Sequence, residues 1–294
     1  MWEKVGGLGV ECERASVRCQ DGTVTSESRA TSDNAPTESD TSLQRSSGLT
    51  RFRLAPNPGP MSLDGTNSYV IGAPGSGHVA VVDPGPEDEQ HLTELAAAGV
   101  VDVVLITHRH ADHTEASKRF QELTGAPVRA ASPEYCHGGA PLQDNEVLHV
   151  GGVEIRVVAT PGHTSDSVCF HLPGDGPNGS VLTGDTILGR GTTVLDYPDG
   201  RLGDYLASLD RLEALGPATL LPAHGPVLPA LDEKCREYRD HREQRLDQIR
   251  AALQSLGLDA SIAAVTDAVY PDVDPSVRWA AETSVAAQLD YLRG

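Results

Sequence analysis

Thr107-His108-Arg109-His110-Ala111-Asp112-His113 puts three imidazoles and one carboxylate within six residues. Such a run makes a poor helix face and a poor strand. It suits a tight loop folded around metal. His108 and His110 alternate, so from an extended segment they point the same way. Asp112 and His113 can then turn toward a neighbouring point, which suggests two adjacent metal ions. Two ions need further ligands, and three are spaced along the chain. They are His163 in Thr160-Pro161-Gly162-His163-Thr164, Asp185 in Leu182-Thr183-Gly184-Asp185-Thr186, and His224 in Pro222-Ala223-His224-Gly225-Pro226. Each follows a β-branched or aliphatic run and lies beside Gly or Pro, as when a strand end delivers one side chain to a shared site. Nitrogen-rich ligation without thiolate suits zinc, with manganese or iron as the alternatives.

Two divalent ions about 3.5–4 Å apart lower the pKa of a bridging water toward neutrality. The resulting hydroxide is the nucleophile, so no Ser or Cys nucleophile is required. Asp112 and Asp185 are the candidate catalytic carboxylates. Asp112 is a ligand that can also accept a hydrogen bond from the water. The reaction class is hydrolysis, and the metal set does not choose among esters, thioesters, lactams and phosphodiesters.

The His-x-His-x-Asp-His run with the later His, Asp and His resembles the metallo-β-lactamase-fold hydrolases over roughly residues 50–230. By that resemblance His108, His110 and His163 hold one metal, Asp112, His113 and His224 hold the second, and Asp185 bridges them. Asp83, in Val81-Val82-Asp83-Pro84-Gly85, matches the family's first-motif aspartate, which supports the ligand loop rather than binding metal. Further matches are similar to the branch called β-lactamase-like protein 2: Asn57-Pro58-Gly59-Pro60-Met61, Gly65-Thr66-Asn67-Ser68-Tyr69, Gly184-Asp185-Thr186-Ile187-Leu188-Gly189 and His224-Gly225-Pro226. That branch includes a mitochondrial single-strand endoribonuclease, bacterial hydrolases and fungal thioesterases, and it carries a small C-terminal winged-helix-like domain. Glu115-Ala116 departs from the small Gly residues of many relatives, which alters the wall of the site. The family also places the Gly-flanked Thr66 and Asn67 near the site, where they could donate to a phosphate or carbonyl oxygen. Arg190, close after Asp185, is a candidate for binding an anionic substrate.

The elements that must position these residues can be read along the chain. Residues 1–48, rich in Ser, Thr, Asp, Glu and Gly, cannot bury enough surface to offset ordering and are expected to be disordered. From 49 to 230, Asn67–Gly72, Val79–Asp83, Val101–Ile106, Val128–Ala130, Glu146–Val150, Val153–Ala159 and Val168–His171 read as strands. Val181-Leu182 and Leu220-Leu221 lead into Asp185 and His224. Glu87–Ala98, Thr114–Leu123 and Tyr205–Leu215 read as helices, the last closed by Gly216-Pro217. The fold class is α+β, an αββα sandwich with its site at strand ends. Residues 231–294 form a helical, winged-helix-like unit. Leu231–Leu256 is a long charged helix, Ile262–Tyr270 follows, and Asp274-Pro275 caps the last helix. Arg239, Arg242 and Arg245 alternate with acids and read as a solvated, salt-bridged face.

Composition narrows the partners. The 294 residues carry a net charge of −19, which repels a polyanion at long range unless a local basic patch or bound cations offset it. Five scattered Cys residues, with no Cys-x-x-Cys pair, read as free thiols in a reducing compartment. The N-terminus lacks a basic-then-apolar signal pattern, and no apolar run approaches the ~20 residues of a bilayer span. A cytoplasmic protein without membrane association is expected, and an oligomer is compatible. Three functions are compatible with the chain. The first is a two-zinc hydrolase of phosphodiesters, single-stranded RNA by resemblance. The second is a thioester or ester hydrolase of the glyoxalase-II type, on a small-molecule substrate, which the acidic charge favours. The third is a winged-helix binding protein with a structural metallo-domain. The complete ligand set argues against the last, because a structural zinc site is usually closed by four ligands. His110 stands where oxygen-reducing diiron relatives usually carry Glu.

Overall fold

Strand alternation in the middle of the chain decides the architecture. On β3 (Asn67–Ile71), Tyr69 and Ile71 face one core and Val70 another; on β4 (His78–Val82), Ala80 and Val82 oppose Val79 and Val81. A strand with apolar residues on both faces must be covered on both faces. The structure, a computed structural model, describes residues 43–294 and provides both covers. The first sheet runs β1 (Gln44–Arg45), β2 (Thr50–Leu54), β3, β4, β5 (Val100–Leu105), β6 (Val128–Arg129) in spatial order. It is antiparallel up to β4 and parallel from β4 to β6. The second runs β11 (Thr219–Pro222), β10 (Ser180–Gly184), β9 (Val168–Leu172), β8 (Val153–Ala159), β7 (Val147–Val150), antiparallel except for β10 with β11.

Between the sheets, Tyr69, Ile71, Val82 and Leu105 meet Ile155, Val157, Phe170 and Leu182. Outside the first sheet lie α1 (Glu89–Ala96), α2 (Ala111–Thr114) and α3 (Ser117–Thr124), which bring Leu92, Leu95 and Phe120 against Val81 and Val104. Outside the second sheet α4 (Leu202–Glu213) and α5 (Leu231–Leu256) pack Tyr205, Leu209, Leu231, Cys235 and Tyr238 against Val181 and Leu220. These are the expected αββα layers. The helix expected over Thr114–Leu123 is in fact two, broken at Glu115-Ala116. The short break lets α2 turn His113 inward while α3 keeps its own apolar face on the sheet.

The C-terminal segment is helical, as expected. α5 buries Leu231, Cys235, Tyr238, Arg242, Leu246, Ile249 and Ala252, a stripe at three- and four-residue spacing. Its far half makes a small core with α6 (Ile262–Val269) and α7 (Arg278–Arg293) through Ile249, Val265, Val285 and Leu289. Asp274 accepts from the Ser276 amide and caps the 3-10 turn that leads into α7. No strand follows Pro222 among the described residues, so the helices have no β-wing beside them. The described residues, 43–294, form one compact unit. Of the N-terminal stretch expected to be disordered, residues 1–42 lie outside the described residues. The remainder includes β1 and the turn at Ser47, which is tied to buried Asp175. No helix among the described residues is long and apolar enough to cross a membrane.

Candidate metal centre

All seven predicted ligands leave one end of the two sheets. β5 ends at Leu105 and hands over to His108 and His110, with Asp112 and His113 on α2. His163 stands on the turn from β8 to β9, Asp185 follows the last residue of β10, and His224 lies two residues past β11. The side chains form two groups. His108 Nε2, His110 Nδ1 and His163 Nε2 lie 3.0, 3.1 and 3.3 Å from one another. Asp185 Oδ2 lies 3.9 Å from His108 and 3.7 Å from His163. In the second group, His224 Nε2 lies 3.2 Å from Asp112 Oδ2, and His113 Nε2 lies 3.7 Å from the same oxygen. Asp185 Oδ1 faces this group, 3.3 Å from His224 and 3.7 Å from His113. The two oxygens of one carboxylate thus address two ligand groups.

The spacing suits a cation. Bonds of about 2.0–2.1 Å from nitrogen to zinc imply tetrahedral edges of roughly 3.3 Å, close to the nitrogen separations here. Three imidazole lone pairs at that distance would repel unless a positive charge sat between them. In the second group His113 Nε2, His224 Nε2 and Asp185 Oδ1 are buried without a hydrogen-bond partner. Buried polar atoms are rarely left so, and an ion at their point of convergence satisfies all three.

The other ring nitrogens are held from behind. His163 Nδ1 donates to the Val194 carbonyl at 2.6 Å, and His224 Nδ1 to the Gly65 carbonyl at 3.0 Å. His110 Nε2 meets Asp196 Oδ2 at 3.1 Å, and His113 Nδ1 meets Asp83 Oδ2 at 2.8 Å. Such outer contacts fix the tautomer and aim the remaining lone pair inward. Asp83 is buried at φ 50° and binds no other member of the cluster. Its carboxylate also accepts from the Thr107 amide at 2.8 Å and the Thr107 hydroxyl at 2.6 Å, which anchors the ligand loop.

Electrostatics divide the cluster. Burial, with the neighbouring His113 and His163, keeps His108 well below its ordinary value; burial takes His163 down to about 4 against the pull of Asp185. Burial acts the same way on His113, but Asp83, Asp185 and Asp112 overcome it and raise the ring to about 9. Asp185 and Asp112 likewise overcome burial at His224 and raise it to about 11. Asp185 itself is held far below the usual carboxylate range, because His224 and His113 outweigh its burial. The protons on His113 and His224 are those a divalent cation would displace.

The candidate substrate contacts fare differently. Thr66 and Asn67 are buried. The Thr66 hydroxyl donates to the Asp112 carbonyl and accepts from Asn57 Nδ2, while Asn67 Nδ2 donates to the carbonyls of Pro222 and Gly225. Both side chains are committed to the walls that carry Asp112 and His224. Arg190 is exposed and pairs with Asp64 at 2.9 Å. The structure adds Asp196 and Val194, which the sequence did not single out, and gives Gly65 of the Gly65–Tyr69 motif a role in aiming His224. Two of these act through carbonyls, which leave no side-chain signal.

Gly162, just before His163, has φ 138°, and a Cβ there would stand 2.3 Å from the Tyr205 Cα. Gly162→Ala is expected to lower stability by about 2 kcal/mol or more, from the unfavourable φ and the backbone clash. Urea unfolding would read this as a fall in midpoint at unchanged slope.

Comparison with known proteins bears on family and fold. The sequence model of the Metallo-beta-lactamase superfamily matches residues 61–224. An "Atrochrysone carboxyl ACP thioesterase" of Aspergillus fumigatus is 34% identical over 212 residues, 69% of this chain and 64% of that protein. The chain therefore spans less than two thirds of that relative's length. A "Beta-lactamase-like protein 2 homolog" of Caenorhabditis elegans is 30% identical over 259 residues, 84% of each chain. The crystal structure of a metallo-beta-lactamase family protein from Thermus thermophilus superposes with a TM-score of 0.68 at 24% identity. It covers 83% of this chain and 93% of that one, a likeness of fold.

Proposed function

Because this chain belongs to the metallo-beta-lactamase superfamily, we propose that it is a two-zinc hydrolase acting on a thioester or ester of a small acyl group. The carrying observation is the charge around the site. Arg190 is matched by Asp64, and Arg109 pairs with both Asp196 and Asp199. Both of these arginines already face carboxylates, on a chain of net charge −19. A neutral acyl bond meets no such barrier. This supports the acyl reading over the RNA reading that the sequence resemblance put first.

His108, His110 and His163, with one oxygen of Asp185, would hold one cation. Asp112, His113 and His224, with the other oxygen, would hold the second. When bound, such a pair supplies a water of lowered pKa and polarises the acyl oxygen. Asp112 is 30% exposed at its side chain, against 11% for Asp185 and none for His113 or His224. It is the carboxylate best placed to accept a proton from the attacking water. Asp83 and Thr107 keep the ligand loop from relaxing, and Asp196 holds the His110 ring with Nδ1 inward.

The phosphodiester reading rests on the likeness to the β-lactamase-like protein 2 branch, with the C. elegans homolog aligned over most of both chains. The two are separated by assaying zinc-loaded protein against short-chain acyl thioesters and against a single-stranded oligoribonucleotide. Thioester turnover is expected, lost on chelation and regained with zinc. Cleavage of the RNA without thioester or ester turnover, absent from His110→Ala protein, would overturn the acyl reading.

A further inference from the structure

α5 carries one residue at odds with its apolar stripe. Arg242 lies between Tyr238 and Leu246 on the buried face and is 3% exposed. Its guanidinium has no carboxylate within ion-pair distance among the described residues, and its Nε has no hydrogen-bond partner. A buried cation without an anion is costly, so the contacts it does make must be accounted for. There are two. The guanidinium lies over the Tyr205 ring, 5.0 Å from its centre, and Nη2 donates to the Thr193 carbonyl at 2.6 Å. Thr193 is next to the site: its hydroxyl is 3.1 Å from His163 Nδ1, and the following carbonyl, Val194, accepts from that nitrogen.

One turn earlier on the same face, Tyr238 grips the other end of this segment. Its hydroxyl accepts from the Leu188 amide at 3.0 Å and donates to the Gly191 carbonyl at 2.9 Å. Residues 188–194 join Asp185 to the carbonyl that aims His163 and form no helix or strand of their own. Without an internal ladder, their path depends on what holds them from outside.

We propose that α5, through Arg242 and Tyr238, is a clamp that positions the Leu188–Val194 segment, and so sets the aim of His163 in the first ligand group. Neither residue touches the ligand atoms, so both are positioning residues. Arg242 suits the task because its planar donors are always charged, and its contact with the Tyr205 ring braces the guanidinium beside the carbonyl. The inference rests on the reading of the cluster as a pair of cation sites, and it predicts an asymmetry. Slackening the clamp should loosen the His108–His110–His163 group well before Asp112–His113–His224: the segment also reaches His224, through the Gly189 amide on its backbone carbonyl, but the His224 ring is aimed by Gly65 and that of His113 by Asp83.

The test is a zinc titration of chelator-stripped protein against a competing chromophoric chelator, paired with the visible absorption spectrum of the cobalt-loaded form. Wild type, Arg242→Met, Arg242→Lys and Tyr238→Phe are compared at equal folded fraction. Arg242→Met is expected to weaken one of two equivalents by about 10- to 100-fold, the range for lost outer contacts to a ligating His, with the other within about twofold. Arg242→Lys should recover part of the loss. Tyr238→Phe, which keeps the ring and packing, should weaken the same equivalent by about fivefold or more, because both of its hydrogen bonds to the segment are lost. If Arg242→Met fails to fold, Tyr238→Phe decides. Unchanged equivalents and an unchanged cobalt spectrum in the variants that fold would overturn the clamp. So would equal weakening of both equivalents together with a lower melting temperature. Failure of the wild type to bind two equivalents would instead remove the metal reading beneath it.

Discussion

Asp185→Asn is expected to cost about a thousandfold or more in turnover while leaving the fold in place. The carboxylate sends one oxygen to each ligand group, within 3.3–3.9 Å of the nitrogens of His108, His113, His163 and His224. An amide of the same shape keeps one oxygen and turns an N–H donor toward the other group, so one position loses a ligand and the centre loses a negative charge. The chemistry lost is worth several kcal/mol, and each 1.36 kcal/mol is tenfold in rate. Elemental analysis should show fewer than two zinc ions per chain beside the fall in rate. Turnover within tenfold of wild type, with two zinc ions retained, would remove Asp185 from the bridging role.

Asp83→Asn tests the support behind the loop and is expected to weaken the second group by about 10- to 100-fold in metal affinity. Asp83 is an acceptor three times over, for the Thr107 amide, the Thr107 hydroxyl and His113 Nδ1. Asn tolerates the φ of 50° at this position, so backbone strain is not the cause of the effect. Its side-chain amide nitrogen meets a donor, however. The imidazole can relieve this by moving its proton to Nε2, which is the atom aimed at the cation. Stability should also fall by about 1–3 kcal/mol, because a buried donor is left unpaired. A variant with undiminished zinc affinity and an unaltered melting temperature would show that His113 is oriented by something other than Asp83.

Much of this centre can be read in the sequence because each ligand sits where a strand stops. Val181-Leu182 and Leu220-Leu221 are apolar, and Val101–Ile106 and Val153–Ala159 are apolar but for Asp102, Glu154 and Arg156. A lone His or Asp beside Gly or Pro after such a run has few structural reasons to be there. Thr66 and Asn67 are not legible in the same way. A Gly-flanked polar pair has one appearance whether it faces the cleft or, as here, spends its donors on the wall. β2 leaves little trace in the sequence because Arg51 and Arg53 break its apolar run. Charge alternation groups Arg242 with Arg239 and Arg245 as a solvated ridge. Arg239 does pair with Glu213 and Asp210, and Arg245 lies against the Tyr270 ring, but Arg242 is inside. The signal is present: counting from Leu231 through Cys235, Tyr238, Leu246 and Ile249 puts position 242 on the buried stripe. A charge at a stripe position asks for a partner, and charge alternation alone does not raise that question.

The most direct test of the whole account is anomalous diffraction from crystals of the zinc-loaded protein at the zinc absorption edge. Two peaks are predicted, about 3.5–4 Å apart. One should lie among His108, His110 and His163, the other among Asp112, His113 and His224, with an Asp185 oxygen turned to each. No peak in this cluster, or zinc bound only at side chains elsewhere in the chain, would contradict the assignment of these seven residues and the hydrolysis built on them.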